Sequence, residues 1–205
     1  MPRNTDDWLR VLLACGVRGV TASRWAPIFA SIVLPGTFSA GDDDLENFLG
    51  QILHESGKLE IVEESLNYTH ADRICAVWPS RFAGIADAAR YVRNPPALAN
   101  KVYGGRMGNT EPGDGFKYRG RGLLQVTGRD NYGTVGDAIG FDLLGNPDAL
   151  ATPEYALRAS IAWWEKHIPD SALGDITRET RLVNGGTTGL SDRIALTDDA
   201  REALG

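Results

Sequence analysis

Along the chain, apolar residues recur with a helical period far more often than with a strand period. Trp8, Leu9, Leu12, Leu13 and Cys15 share one helix face, and Asp6 and Asp7 sit in its first turn, where the helix dipole favours negative charge. A second helix is predicted over 23–33. The clearest run is Leu45, Phe48, Leu49, Ile52 and Leu53, spaced i, i+3, i+4, i+7 and i+8; Asp42, Asp43 and Asp44 offer caps and Gly57 ends it. The stretch 104–122 is Gly-rich and irregular, and 123–127 reads as a short strand or extended segment. A helix over 130–139 closes at Gly140. Thr152 caps, and Pro153 opens, a helix running to His167 that carries apolar residues on more than one face and should be central and buried. Residues 176–183 form another helix, closed by Asn184-Gly185-Gly186, and Ser191 begins the last. The pattern predicts a mainly α fold with one small β-hairpin or sheet, no internal repeat and no interdomain linker.

The length of 205 residues suits one domain, 1–205, with room for a small helical lobe within it. Twenty-four glycines exceed the usual share of ~7% and point to many tight loops. A net charge of −6 argues against a nucleic-acid coat. The charge is uneven, however: residues 90–129 hold eight basic side chains and two acidic ones. That segment is either a solvated face or a surface that meets an anionic polymer. Cys15 and Cys75 are too few for a disulfide framework; one bridge or two reduced thiols both fit. Leu12-Leu13-Ala14-Cys15 is a poor lipoprotein signal, because Asp6, Asp7 and Arg10 precede it. The uncharged run from Trp25 to Gly41 contains Pro27 and Pro35 and falls short of the ~20 apolar residues of a spanning helix. No signal peptide and no stable membrane anchor are therefore expected.

Carboxylates are the candidate chemistry. At 100° per residue, Glu55 lies about 80° from the middle of the apolar face that holds Phe48. That margin is half desolvated, which suits a proton donor, although a helix-end Glu can equally point to water. Glu60, Glu63 and Glu64 follow the Gly57 break, where a returning chain can set a second carboxylate opposite the first. Two carboxyls ~6.5–9.5 Å apart, one acid and one base with a water between, are the equipment of an inverting glycosidase. Tyr68, Trp78 and Tyr132 are candidate sugar-stacking surfaces, each of which could instead pack in a core. His54, His70 and His167 lack metal-ligand spacing, so neither metal nor cofactor is expected.

Four ordered segments carry a family resemblance: 48–57 (FLGQILHESG), 64–68 (ESLNY), 120–132 (GRGLLQVTGRDNY) and Asn184-Gly185-Gly186 with Asp192-Arg193. Together they resemble glycoside hydrolase family 19, with a further likeness to endolysins of phages infecting Gram-negative bacteria. The resemblance implies a two-lobed, lysozyme-like helical fold with a central glycan cleft. It assigns Glu55 as general acid and Glu64 as general base, with Glu63 the rival base. Thr127 matches the water-positioning place, and Gln125, Asn131, Asn184 and Arg193 match substrate-binding places.

The function this implies is an endolysin of muramidase type, cutting the β-1,4 bond between N-acetylmuramic acid and N-acetylglucosamine with inversion. The nine-residue interval between Glu55 and Glu64 is much shorter than in plant chitinases and favours that branch. A chitinase, a lytic transglycosylase and a noncatalytic glycan-binding module are the alternatives. The expected setting is synthesis in the host cytoplasm as a monomer without a separate cell-wall-binding domain. Release through a separate holin-type pore-former then gives access to peptidoglycan in the periplasm.

Overall fold

The computed structural model describes residues 2–205. In chain order, its α-helices are α1 (Thr5–Ala14), α2 (Gly19–Ile32), α3 (Asp42–Glu55), α4 (Ala71–Val77), α5 (Ile85–Ala88), α6 (Pro95–Tyr103), α7 (Asp114–Lys117), α8 (Arg129–Ile139), α9 (Pro153–His167), α10 (Ile176–Asn184) and α11 (Leu190–Leu204). Among the described residues no β-strand forms. In place of the predicted sheet there are two isolated antiparallel bridges, Glu63 with Arg121 and Arg121 with Val126. The reason lies at Gln125, whose φ of 52° is left-handed and cannot continue an extended segment. The chain turns instead, and Arg121 and Val126 exchange both backbone hydrogen bonds at 3.1 and 2.8 Å.

Helix ends follow local chemistry. α1 starts with a capping box: the Asn4 side chain accepts from the Asp6 and Asp7 amides, and the Asp7 carboxylate accepts from the Asn4 amide. The N-cap of α3 is Gly41, so the three aspartates occupy the first turn, where they face the positive end of the dipole. α8 and α10 stop at left-handed Gly140 and Gly185, as their sequence signals predict. α2 begins at Gly19, four residues before the predicted start.

The chain divides into two compact units. The first takes in the chain up to Val62, Gly122–Leu124 and Leu150–Gly205. Its core gathers Trp8, Trp25, Phe29, Phe48, Leu49 and Trp164, all fully buried. Its central helix is α3, buried continuously from Asp44 to Leu53. The expectation that α9 would be the fully buried helix is corrected: Ala156, Leu157, Ile161 and Trp164 face inward, while Tyr155 and Trp163 stay partly exposed. α3 lies tight against α11 because position 50 has no side chain. A Cβ there would come within 2.0 Å of Thr197 Oγ1 and 3.1 Å of the Arg193 carbonyl oxygen.

The second unit comprises Glu63–Arg121 and Gln125–Ala149. Its core is smaller: Leu66, Ile74, Ala88, Leu98, Ala99 and Val102. It contains ten basic and ten acidic residues, so it is formally neutral and the −6 of the chain rests on the first unit. The basic excess of 90–129 is therefore offset by acidic residues on either side of it. Cys15 is buried and Cys75 half-buried, and both thiols are free. Burial pushes the Cys15 thiol up to about 12, which makes it unreactive. Among the described residues no helix is long and apolar enough to cross a membrane.

Candidate active site

Glu55 is the last residue of α3. Beyond it the Ser56 hydroxyl donates to the Ile52 carbonyl at 2.6 Å and accepts from the Leu59 amide at 2.9 Å. Gly57, Lys58 and Leu59 then run consecutively through left-handed backbone, with φ of 56°, 60° and 67°. Two of the three are not glycine, so this reversal carries strain, which the full burial of Leu59 holds in place.

The carboxylate of Glu55 is part of a buried polar chain in the first unit. Arg193, on α11, is 1% exposed. Its Nη2 donates to Glu55 Oε1 at 2.5 Å, its Nη1 to Gln51 Oε1 at 2.5 Å and its Nε to the Thr188 carbonyl at 3.3 Å. Gln51, also fully buried, donates onward to Thr180 Oγ1 at 3.2 Å. One oxygen of Glu55 is thereby fixed, whereas its side chain remains 26% exposed. The assignment of Arg193 to substrate contact is corrected, because its guanidinium is spent on Glu55, Gln51 and Thr188 and has no surface left for a sugar. Gln51 escaped the sequence reading because its position on α3 looks like any interior turn.

Beside this chain, His54 Nδ1 meets Asp192 Oδ2 at 2.6 Å. The ring packs on Gly189, where a Cβ would lie 2.2 Å from Nε2. Glu179 is fully buried on α10: it accepts from the Gly174 amide at 3.0 Å, and Oε2 has no partner. Burial pushes its carboxyl up to about 7. Asn184 is exposed at the end of α10.

In the second unit, Glu63 and Glu64 are adjacent and have opposite fates. Glu63 Oε1 accepts from Arg119 Nε and Nη2 at 3.0 and 2.8 Å, and its Oε2 accepts from Arg121 Nε at 3.0 Å. Burial alone would raise its carboxyl, but the two guanidiniums outweigh that and hold it below the usual carboxylate range. Glu64 meets only neutral donors: the Gly120 amide at 2.5 Å on Oε1 and the Tyr103 hydroxyl at 2.8 Å on Oε2. Successive side chains of an extended segment point to opposite sides, which is why neighbours find such different surroundings. Tyr103 is a contact that the sequence did not reveal, being 39 residues from Glu64 with no periodicity linking them.

Gln125 approaches the same place. A Cβ on Gly120 would lie 3.0 Å from Gln125 Oε1 and 3.1 Å from Glu64 Oε1. Thr127 Oγ1 donates to the Gln125 carbonyl at 3.0 Å, and Asn131 Nδ2 donates to the Thr127 carbonyl at 2.8 Å. Tyr68 is half-buried, with its ring edge-on to Trp78 at 5.4 Å. Tyr132 is a correction: it is 0% exposed and cannot stack on a sugar. Its hydroxyl accepts from Arg121 Nη1 and donates to the Arg119 carbonyl, so it braces the arginines that hold Glu63. Among the described residues no three His, Cys, Asp or Glu side chains gather as a metal ion would require.

Residues 14–172 match the family model for class I chitinases, glycoside hydrolase family 19. A glycosyl hydrolase family 19 domain-containing protein of Haemophilus influenzae is 34% identical over 151 residues, which cover 73% of this chain and 74% of that protein. An endochitinase of Persea americana is 47% identical over 106 residues, 40% of this chain but only 32% of its own length. Chitinase C of Streptomyces griseus superposes with a TM-score of 0.57 over 96% of this chain and 91% of its own, at 17% identity. The helical fold is thus shared with that chitinase. The chain belongs to glycoside hydrolase family 19.

Proposed function

We propose that this protein is a peptidoglycan hydrolase of muramidase type, in which Glu55 and Glu64 act on one β-1,4 glycosidic bond with inversion. The observation that carries the reading is the unequal treatment of Glu63 and Glu64. A general base needs a carboxylate free to take a proton from water. Glu63 is committed to two arginines, whereas Glu64 is oriented by an amide and a phenol. Glu55, with Oε1 held by Arg193, offers Oε2 to the glycosidic oxygen. After the proton has left, the same guanidinium stabilises the carboxylate that remains. Water activated by Glu64 then attacks the anomeric carbon from the far face of the sugar. Gln125 lies close enough to Glu64 to orient that water or the sugar, while Thr127 and Asn131 support the turn that carries it. Tyr68 and Asn184 remain exposed enough to touch glycan.

In this reading the chain works as a monomeric endolysin on the periplasmic wall after a separate pore-former has released it. The short Glu55–Glu64 interval supports a peptidoglycan substrate. Chitin is the second reading, because the plant relatives are named chitinase or endochitinase. Mass spectrometry of fragments released from purified murein, with chitin oligomers in parallel, tests the choice. Muropeptides ending in reducing N-acetylmuramic acid are expected. Anhydro-muramic ends would mean a lytic transglycosylase, and products from chitin alone would make the protein a chitinase.

A further inference from the structure

Tyr103, the last residue of α6, gives Glu64 a side-chain hydrogen bond, its hydroxyl donating to Oε2 at 2.8 Å. A tight turn holds the phenol there. The Gly105 amide donates to the Asn109 carbonyl at 2.8 Å, the Asn109 amide donates to the Arg106 carbonyl at 2.8 Å, and Met107 and Gly108 take left-handed backbone. Asn109 is 1% exposed and its side chain spans two elements. Nδ2 donates to the Tyr103 carbonyl at 3.0 Å, and Oδ1 accepts at 2.9 Å from the amide of Arg129, the first residue of α8. The turn also lies directly on the start of α8. The Asp130 amide donates to the Met107 carbonyl at 3.1 Å, and a Cβ on Gly128 would come within 2.4 Å of Met107 Cβ. Gly128 in turn donates to the Tyr118 carbonyl at 2.8 Å, two residues before the Gly120 amide that holds Glu64 Oε1. One buried amide side chain therefore ties the phenol on Oε2 into the same frame as the amide on Oε1.

A glutamate held at one oxygen only can still swing its carboxylate plane about that contact. A water placed against it then meets a moving acceptor, and small misplacements of reacting groups are costly. A donor at the second oxygen removes this freedom, and a ring fixed at a helix end does so with little motion of its own. Burial pushes the Tyr103 phenol far above the ordinary tyrosine range, so its proton stays on the tyrosine and the carboxylate is left to take the proton of water. We infer that Tyr103 is a positioning residue for the general base, and that Asn109 acts through it by locking the end of α6 to the start of α8. The inference rests on the assignment of Glu64 as base, and it adds two residues to the machinery of that step.

The test is steady-state kinetics of the full chain on soluble murein strands or chitin oligomers, whichever the unaltered enzyme cuts. Tyr103→Phe keeps the ring and its packing; kcat should fall ~10–100-fold while KM stays within about twofold. Tyr118→Phe is the control, because it removes a buried phenol's hydrogen bond to the Leu144 carbonyl in the same unit without touching Glu64. Its kcat should stay within about twofold of the unaltered enzyme, as expected for a site that shares no partner with Glu64. Asn109→Ala should lower kcat at least ~fivefold in the unaltered protein but less than ~twofold in Tyr103→Phe, where nothing remains for it to act through. If Asn109→Ala melts below the assay temperature, Asn109→Asp replaces it in the cycle, since it keeps the acceptor for the Arg129 amide and lacks the donor to Tyr103. The inference is overturned if Tyr103→Phe keeps its kcat, if Tyr118→Phe loses as much, or if the Asn109 loss persists in full beside Tyr103→Phe. The reading of Glu64 as base fails on a separate result, turnover retained by Glu64→Gln; an inactive Glu64→Gln beside a fully active Tyr103→Phe sinks the inference alone.

Discussion

Two neighbouring glutamates show how much a local partner decides. Glu64→Gln removes the group assigned to activate water and should lower kcat by ~10²–10⁴-fold with little change in melting temperature. Glu63→Gln should do the reverse. It takes one partner from the fully buried Arg121, and a hydrogen-bonded charge left short of a partner costs roughly 1–3 kcal/mol. Steady-state kinetics and thermal melts on both variants check the pair, and a larger kcat loss in Glu63→Gln would reassign the base. The sequence offered both as bases, and only the arginine contacts separate them. Those contacts come from positions 119 and 121, which no periodicity ties to position 63. Tyr132 was misread for a related reason: an aromatic beside glycines looks the same whether it meets a sugar or closes a core. Arg193 was expected at the sugar and is instead buried on Glu55 and Gln51, because burial is not visible in a motif.

Among the elements, helices with a full apolar period were legible, whereas α6, as long as α10, and the shorter helices were not. α3, α8 and α10 have full apolar periods and glycine stops, so their ends fall within a residue or two of expectation. α4, α5 and α7 have seven residues or fewer, too short for a period to register. The contact of α3 with α11 is where an element-level change should show most. Gly50→Ala inserts a Cβ against Thr197 and the Arg193 carbonyl, so a loss of ~1–3 kcal/mol is expected. At ~2–4 °C per kcal/mol, the fall in melting temperature is measurable by calorimetry. Activity should fall as well, since Arg193 holds Glu55; an unchanged melt would contradict the tight packing.

α10 carries a pH signature of its own. The Glu179 carboxyl is raised from 4.5 to about 7 by burial. A raised carboxyl keeps its proton longer in the folded state than in the unfolded one. Its contribution to stability is therefore complete below pH 4.5 and is lost as the pH climbs through 7. Glu179→Gln, which never ionises, should melt close to the unaltered protein at pH 4 and above it at pH 8. A constant difference across that range would mean the carboxyl does not titrate there.

At the scale of the whole molecule, charge and chemistry divide between the units. The first unit holds the net negative charge, the larger core and the proposed acid. The second is neutral overall, with a smaller core and the proposed base. The basic excess of 90–129 suggested a surface for an anionic polymer, but three of its eight cations are in internal ion pairs.

Family membership was legible because its four segments hold the turn, the proposed acid, the proposed base and the arginine in one order. Substrate choice was less so, since the same segments occur in relatives named chitinases. The claim at the centre is that one carboxylate gives a proton while another activates water on the opposite face of the same sugar. Proton NMR of the reducing end first formed from murein strands measures this directly. An α-anomer that later equilibrates is predicted, and an initial β-anomer would contradict inversion and the roles given to Glu55 and Glu64.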